Sequence, residues 1–288
     1  MLKTAEIHIR DPFVLTDEGK YYMYGTRGAG CWGDDPGIVY GFDVYVSEDL
    51  ENWSDPICVF EPDAGFWGKY HFWAPEVHKY KGAYYMLASF KADGVCRGTQ
   101  ILKAESPLGP FVPHSDDAVT PRDWECLDGT LHIEPDGTPY MIFCHEWLQV
   151  TDGEMCALRL SDDLKTAVGE PTLLFRASEP TWVPEGRSTY VTDGPFMYRT
   201  ASGRLIMMWS SGAKDGYCEA LSYSDNGSIF GKWYHDERLL FSKDGGHGMI
   251  FNKLDGTLTF VCHQPNKNPL ERPFFVELCE KDDTVFVK

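Results

Sequence analysis

The stretch DPFVLTDEGKYYMYGT, from Asp11 to Thr26, decides the fold. It reads as two short apolar strands around a turn, bounded by Asp, Gly and Thr, with no helical periodicity. Gly19 sits in the turn, where a tight hairpin needs a positive φ. Four further copies follow: APEVHKYKGAYYMLAS from Ala74, DGTLHIEPDGTPYMIFC from Asp128, DGPFMYRTASGRLIMMWSS from Asp193 and HGMIFNKLDGTLTFVCH from His247. Their turns carry Gly82, Gly137, Gly203 and Gly256, and the copies start about 54 to 65 residues apart. A period of that length made of strands predicts propeller blades, and five copies predict an all-β, five-bladed β-propeller. The segments Phe42–Pro56 and Arg97–Pro113 supply outer strands of the first two blades. No break in composition marks a second domain, so residues 1–288 read as a single five-bladed propeller domain. A β-sandwich with coincidental repeats is the alternative.

Composition narrows the function. The chain has 26 Lys+Arg against 44 Asp+Glu, a net charge of −18. Phosphate neutralisation needs clustered cations, so a nucleic-acid binder is excluded, as is docking on anionic membranes. Apolar residues make up 43%, enough for a sizeable core. No run approaches the roughly 18 apolar residues of a membrane span. The nine cysteines show no CxxC spacing, and Cys58, Cys144 and Cys262 lie in apolar runs, where a thiol acts as a small hydrophobe. Zinc would need clustered ligands. The start, MLKTAEIHIRDPF, has no apolar signal region, so a cytoplasmic location is expected unless a leader has been removed.

In a propeller the innermost strands line the axis. The first residues of the copies, Asp11, Ala74, Asp128, Asp193 and His247, then face one another. Three carboxylates and an imidazole would converge. Such a group suits glycoside hydrolysis: one carboxylate handles water, one protonates the leaving oxygen and one tunes a pKa. Crowded carboxylates repel, which keeps one of them protonated. Aromatic faces would carry sugar rings; Trp73 and Trp32, the latter in the Gly-rich GAGCWGDDPG, are candidates. In CHEW, alternation along a strand points either Glu146, or His145 and Trp147, into the cleft. Trp182, Glu185 and Arg187 in WVPEGRSTY read as a loop over the mouth, and Gln264 follows the last inner strand within reach of a sugar. His263 reads as structural, and Tyr21, Tyr22, Tyr84 and Tyr85 as blade packing.

At these residues the chain resembles glycoside hydrolase family 43, the five-bladed arabinofuranosidases, arabinanases and xylosidases. RDP, at Arg10-Asp11-Pro12, resembles the first-blade motif and implies that Asp11 is the general base. WAPE, Trp73 to Glu76, is similar to the second-blade WAPD and adds Glu76 to the substrate-binding candidates. CLDGTLHIEPDGTPY, from Cys126, implies that Asp128 modulates a pKa. GGHGMIF, from Gly245, resembles the fifth-blade motif, whose His, here His247, coordinates Ca²⁺ directly or through water in many members. The family inverts, so the resemblance implies a single displacement, with carboxyls about 6.5–9.5 Å apart. The family's acid is usually Glu in EGP, whereas this chain has TDGPF, with Asp193 there. A side chain one methylene shorter withdraws the carboxyl by roughly 1.5 Å. Three accounts stand: Asp193 is the acid, Glu146 or Glu185 replaces it, or the protein binds sugar without cleaving it. The expected activity is an exo-acting α-L-arabinofuranosidase, or a β-xylosidase or galactosidase, on short plant oligosaccharides. The rivals are a binding propeller, a family 32-like fructosidase with its acid at Glu125, and a mannoside phosphorylase, which would need a phosphate-binding cationic cluster.

Overall fold

The computed structural model describes residues 1–33, 38 and 40–288. Each copy of the repeat forms an antiparallel hairpin at the inner edge of its own sheet, and the sheets form the five blades of a propeller. The inner pairs are Ile9–Asp17 with Lys20–Arg27, Tyr70–Tyr80 with Ala83–Ala92, Cys126–Ile133 with Pro139–His145, Asp193–Arg199 with Leu205–Ala213, and Gly246–Asn252 with Leu258–Gln264. The five turn glycines lie at φ between 75° and 97°. Phe42–Ser47 and Val95–Ala104 extend the first two blades outward, as the sequence predicts. Apolar side chains fill the wedges between neighbouring blades, with Trp53, Trp209, Phe90 and Phe143 fully buried. All nine cysteines are free thiols; Cys144 and Cys262 are buried as expected, but Cys58 is exposed.

The inner strands share one irregularity. In every blade the pairing register jumps just after the strand begins: between Arg10 and Phe13, Trp73 and Glu76, Leu127 and Thr130, Asp193 and Phe196, and Gly246 and Met249. At each jump one residue adopts the left-handed region: Asp11 (φ 52°), Ala74 (46°), Asp128 (58°), Gly194 (47°) and His247 (49°). A bulge of this kind re-aims a side chain, here at the axis. The fourth blade therefore corrects the register expected from the sequence. Gly194, not Asp193, is the equivalent of Asp11 and Asp128. A Cβ at Gly194 would lie 2.7 Å from the His247 ring, so this slot admits only glycine. Asp193 stands one residue earlier, in the ring of Arg10, Trp73 and Leu127.

The termini do not share a blade. Leu2–Lys3 pairs with Asn52–Trp53 in the first blade, and Thr284–Val287 edges the fifth. Side chains close the ring instead. Arg10 Nη1 donates to Glu271 Oε1 at 2.6 Å and Nη2 to Asn266 Oδ1 at 2.8 Å, while His8 Nε2 lies 3.4 Å from Glu271 Oε2. Trp53 stacks on Phe275. Glu271 is fully buried, so removing its charge strands a guanidinium. Glu271→Gln should lower the urea-unfolding free energy by about 3 kcal/mol. Glu48→Gln, in an exposed pair 3.9 Å from Lys20, should change it by less than about 0.5 kcal/mol. Equal small losses would show that the ion pair does not hold the closure.

Candidate active site

The bulges gather their side chains at the floor of a cleft of about 340 Å³. Asp11, Asp128, Asp193 and His247 form the floor, and Trp32, Trp73, Arg97, Glu146, Trp147 and Leu148 line it with them. The bulge amides are tied to side chains of the preceding blade. Ala74 N–H donates to Thr26 Oγ1 at 2.7 Å, Asp128 N–H to Ser89 Oγ at 2.9 Å and His247 N–H to Ser210 Oγ at 2.6 Å. Asp11 N–H donates to His263 Nδ1 at 3.2 Å. The third blade offers only Cys144 at this place, opposite Leu127, and a thiol is a weak acceptor. The Gly194 N–H turns instead to Asp128 Oδ2, at 3.0 Å.

Asp11 is held as a carboxylate. Burial alone would raise it, but His247 and Arg10 outweigh burial and hold it well below the usual carboxylate range. Thr26 O–H donates to Oδ2 at 2.6 Å, and His247 Nδ1 lies 3.3 Å from Oδ1. Since His263 Nδ1 accepts the Asp11 amide, its proton is on Nε2, 3.2 Å from Asn266 Oδ1. His263 is thus fully buried and structural, as expected, but its task is to seat Asp11.

Asp128 and Asp193 are both shifted the other way from Asp11. Burial pushes Asp128 up to about 6, aided by the charge of Asp11. Burial and the neighbouring Asp128 push Asp193 well above the usual range, which favours its protonated form. Tyr217 O–H donates to Asp193 Oδ2 at 2.6 Å, and its ring stacks on His263. Beneath them Ser210 O–H donates to the fully buried Glu219, at 2.8 Å.

A second charged group stands on the wall. Glu146 is 2% exposed and ion-paired with Arg97, whose guanidinium lies 4.2 Å from the centre of the Trp73 ring. Burial pushes the Glu146 carboxyl up, and Arg97 opposes it. The alternation expected in CHEW fails because the strand ends at His145 and a helical turn, Trp147–Val150, begins. Glu146 and Trp147 both line the cleft. His145 turns away, stacked on Trp124 and bonded to Glu154 and Gln149.

Other candidates lie outside the cleft. Glu76 pairs with His78 at 3.0 Å. Trp182 packs on Trp209, and Arg187 donates to the Ala213 carbonyl at 2.8 Å. Glu185 is an exposed loop charge, which removes it as an acid. Gln264 Nε2 donates to the Lys243 carbonyl at 2.6 Å. The sequence reading missed Arg97, His71 and Tyr217. No motif marks them, because each is aimed at the cleft by neighbours distant in the chain.

Three groups have ligand atoms within 4.8 Å of one another: Asp128, Asp193 and His247. Calcium takes six to eight oxygens, and here two carboxyls stand beside one imidazole nitrogen. The set does not fit a directly held calcium ion; only an ion carrying most of its shell as water matches it.

The sequence profile of glycosyl hydrolases family 43 matches residues 5–285. An extracellular exo-α-(1→5)-L-arabinofuranosidase, ArbA, of Cellvibrio japonicus (strain Ueda107) is 27% identical over 184 residues, 58% of this chain and 47% of its own length. An extracellular endo-α-(1→5)-L-arabinanase 1 of Bacillus subtilis (strain 168) is 22% identical, over 57% of this chain and 52% of its own length. The chain thus spans about half the length of the curated relatives it matches. The crystal structure of an endo-arabinase from Bacteroides thetaiotaomicron VPI-5482 superposes with a TM-score of 0.89 at 40% identity, covering 99% of both chains. With its propeller, its axial carboxylates and a profile that runs nearly end to end, the chain belongs to glycosyl hydrolases family 43.

Proposed function

We propose that the protein is an inverting glycoside hydrolase that releases L-arabinofuranose from short arabinose-containing oligosaccharides. The observation that carries this reading is the placement of two carboxyls on one cleft floor: Asp11 beside His247, Thr26 and Arg10, which favour its charge, and Asp193 between Tyr217 and the like-charged Asp128, which favours its proton. In the single displacement, Asp11 orients a water and takes its proton as the water attacks the anomeric carbon. Asp193 passes its proton to the glycosidic oxygen as that bond breaks. Asp128 keeps the proton on Asp193 until then, by charge and by hydrogen bond. Glu146, paired with Arg97, is the weaker candidate for the acid, since the ion pair favours its charged form. A volume of about 340 Å³ lies at the small end of ligand pockets and suits one or two sugar rings, which supports exo action. The arabinose preference rests on the named relatives.

Substitutions test the roles. Asp11→Asn should reduce kcat/KM on aryl α-L-arabinofuranosides about 10³-fold, and the wild-type product should first appear as the opposite anomer by proton NMR. Asp193→Ala should lose far more activity on arabino-oligosaccharides than on aryl substrates with good leaving groups. Glu146→Gln should lose both alike. The reverse pattern would make Glu146 the acid.

The pH profile follows from the same placement. Asp193 acts only while protonated, so activity falls as pH rises through its raised value. Asp11 acts only while ionised, so the acid limb lies below the ordinary carboxylate range. Asp128→Asn removes the like charge and should move the alkaline limb of kcat/KM to lower pH by about one unit, about 1.4 kcal/mol. An unmoved limb would sever Asp128 from the acid.

An axial calcium beside His247 is proposed only as a water-held ion. Dialysis against EDTA should then lower the melting midpoint, and calcium should restore it. An unchanged midpoint removes the ion from the site.

A further inference from the structure

We propose that Arg97 is a positioning residue that sets both walls of the sugar site, holding Glu146 on one side and, through His71, the Trp32 segment on the other. The kinetic part rests on the sugar-cleaving reading; the structural part stands without it.

Arg97 lies near the start of Val95–Ala104 in the second blade and is 4% exposed. One terminal nitrogen pairs with Glu146 from the third blade. The other donates to His71 Nδ1 at 3.0 Å. Arginine has no acceptor, so His71 Nδ1 must accept, and the ring proton sits on Nε2. That nitrogen is 3.0 Å from the Trp32 carbonyl. Trp73 Nε1 donates to the next carbonyl, that of Cys31, at 2.5 Å. His71 lies flat on Trp73, with centres 4.3 Å apart and planes at 17°. The guanidinium covers Trp73 as well. Two donors from the second blade thus grip two consecutive carbonyls of a first-blade segment, and Arg97 fixes the tautomer and place of one of them. Trp32 then meets Trp73 edge-on and stays 45% exposed at the cleft. Only a planar fork can serve a carboxylate, an imidazole and a ring face together; lysine keeps the charge but is a point donor.

The test is Arg97→Lys. With the circular dichroism unchanged, residues 28–33 should lose about tenfold in amide exchange protection. KM for arabino-oligosaccharides should rise about tenfold while kcat changes less than about threefold. A fall in kcat at constant KM, or unchanged exchange in residues 28–33, overturns the proposal. If Arg97→Lys does not fold, His71→Phe, which keeps a ring on Trp73 but removes the bonds to Arg97 and to the Trp32 carbonyl, carries the exchange test with the same criteria. Should the wild type cleave no arabinofuranoside, the proposed activity fails, while the exchange result still decides the role of Arg97.

Discussion

The constraint on which the site depends is the left-handed residue at the head of every inner strand. Left-handed backbone costs an L-residue roughly 1–2 kcal/mol, and four of the five positions are not glycine. Such strain persists only where surroundings over-determine it. Here the surroundings are visible: a hydroxyl or imidazole on the preceding blade takes the bulge amide in four of five cases. Blade is thus locked to blade at the point where the chemistry sits. Asp11 and Asp128 are aimed by the backbone, and the same bonds that fix the ring fix their carboxyls.

The exception shows what that lock does. At the fourth blade the acceptor is missing, because Cys144 stands where the others have Thr26, Ser89, Ser210 and His263. Gly194 therefore bonds to the Asp128 carboxylate. One carboxylate oxygen is committed to a backbone amide, and Asp128 cannot swing away from Asp193. Proximity of the two carboxyls follows from this substitution as much as from the aspartates themselves, and proximity is what separates their protonation states.

The fold was legible because its signals are local and repeated: hairpin glycines and short apolar strands recur five times. The site was legible where the repeat carries it, at Asp11, Asp128 and His247. Asp193 was found but placed one residue wrong, since a bulge leaves no trace in hydrophobic alternation; the adjoining Gly194, against the His247 ring, was the available signal. Glu76, His145, Trp182, Arg187 and Gln264 were misplaced for another reason. The direction of a side chain depends on partners elsewhere in the chain, such as Trp124 for His145 and Lys243 for Gln264.

Asp193, proposed as the acid, has a physical setting that offsets its short side chain. Asp193 does not face the axis from the bulge; it rises from the ring of Arg10 and Trp73, one residue further out. Tyr217 and Asp128 hold it from two sides. A carboxyl so restrained loses little orientational freedom on meeting a substrate, which offsets part of its reduced reach. The remaining reach must come from the sugar lying deeper in the cleft. Depth is set by the walls, and the walls are Trp32, Trp73 and Glu146, joined through Arg97. The proposed acid on the floor and the proposed clamp on the walls are therefore parts of one arrangement: the first requires a close-seated ring, and the second is placed to seat it.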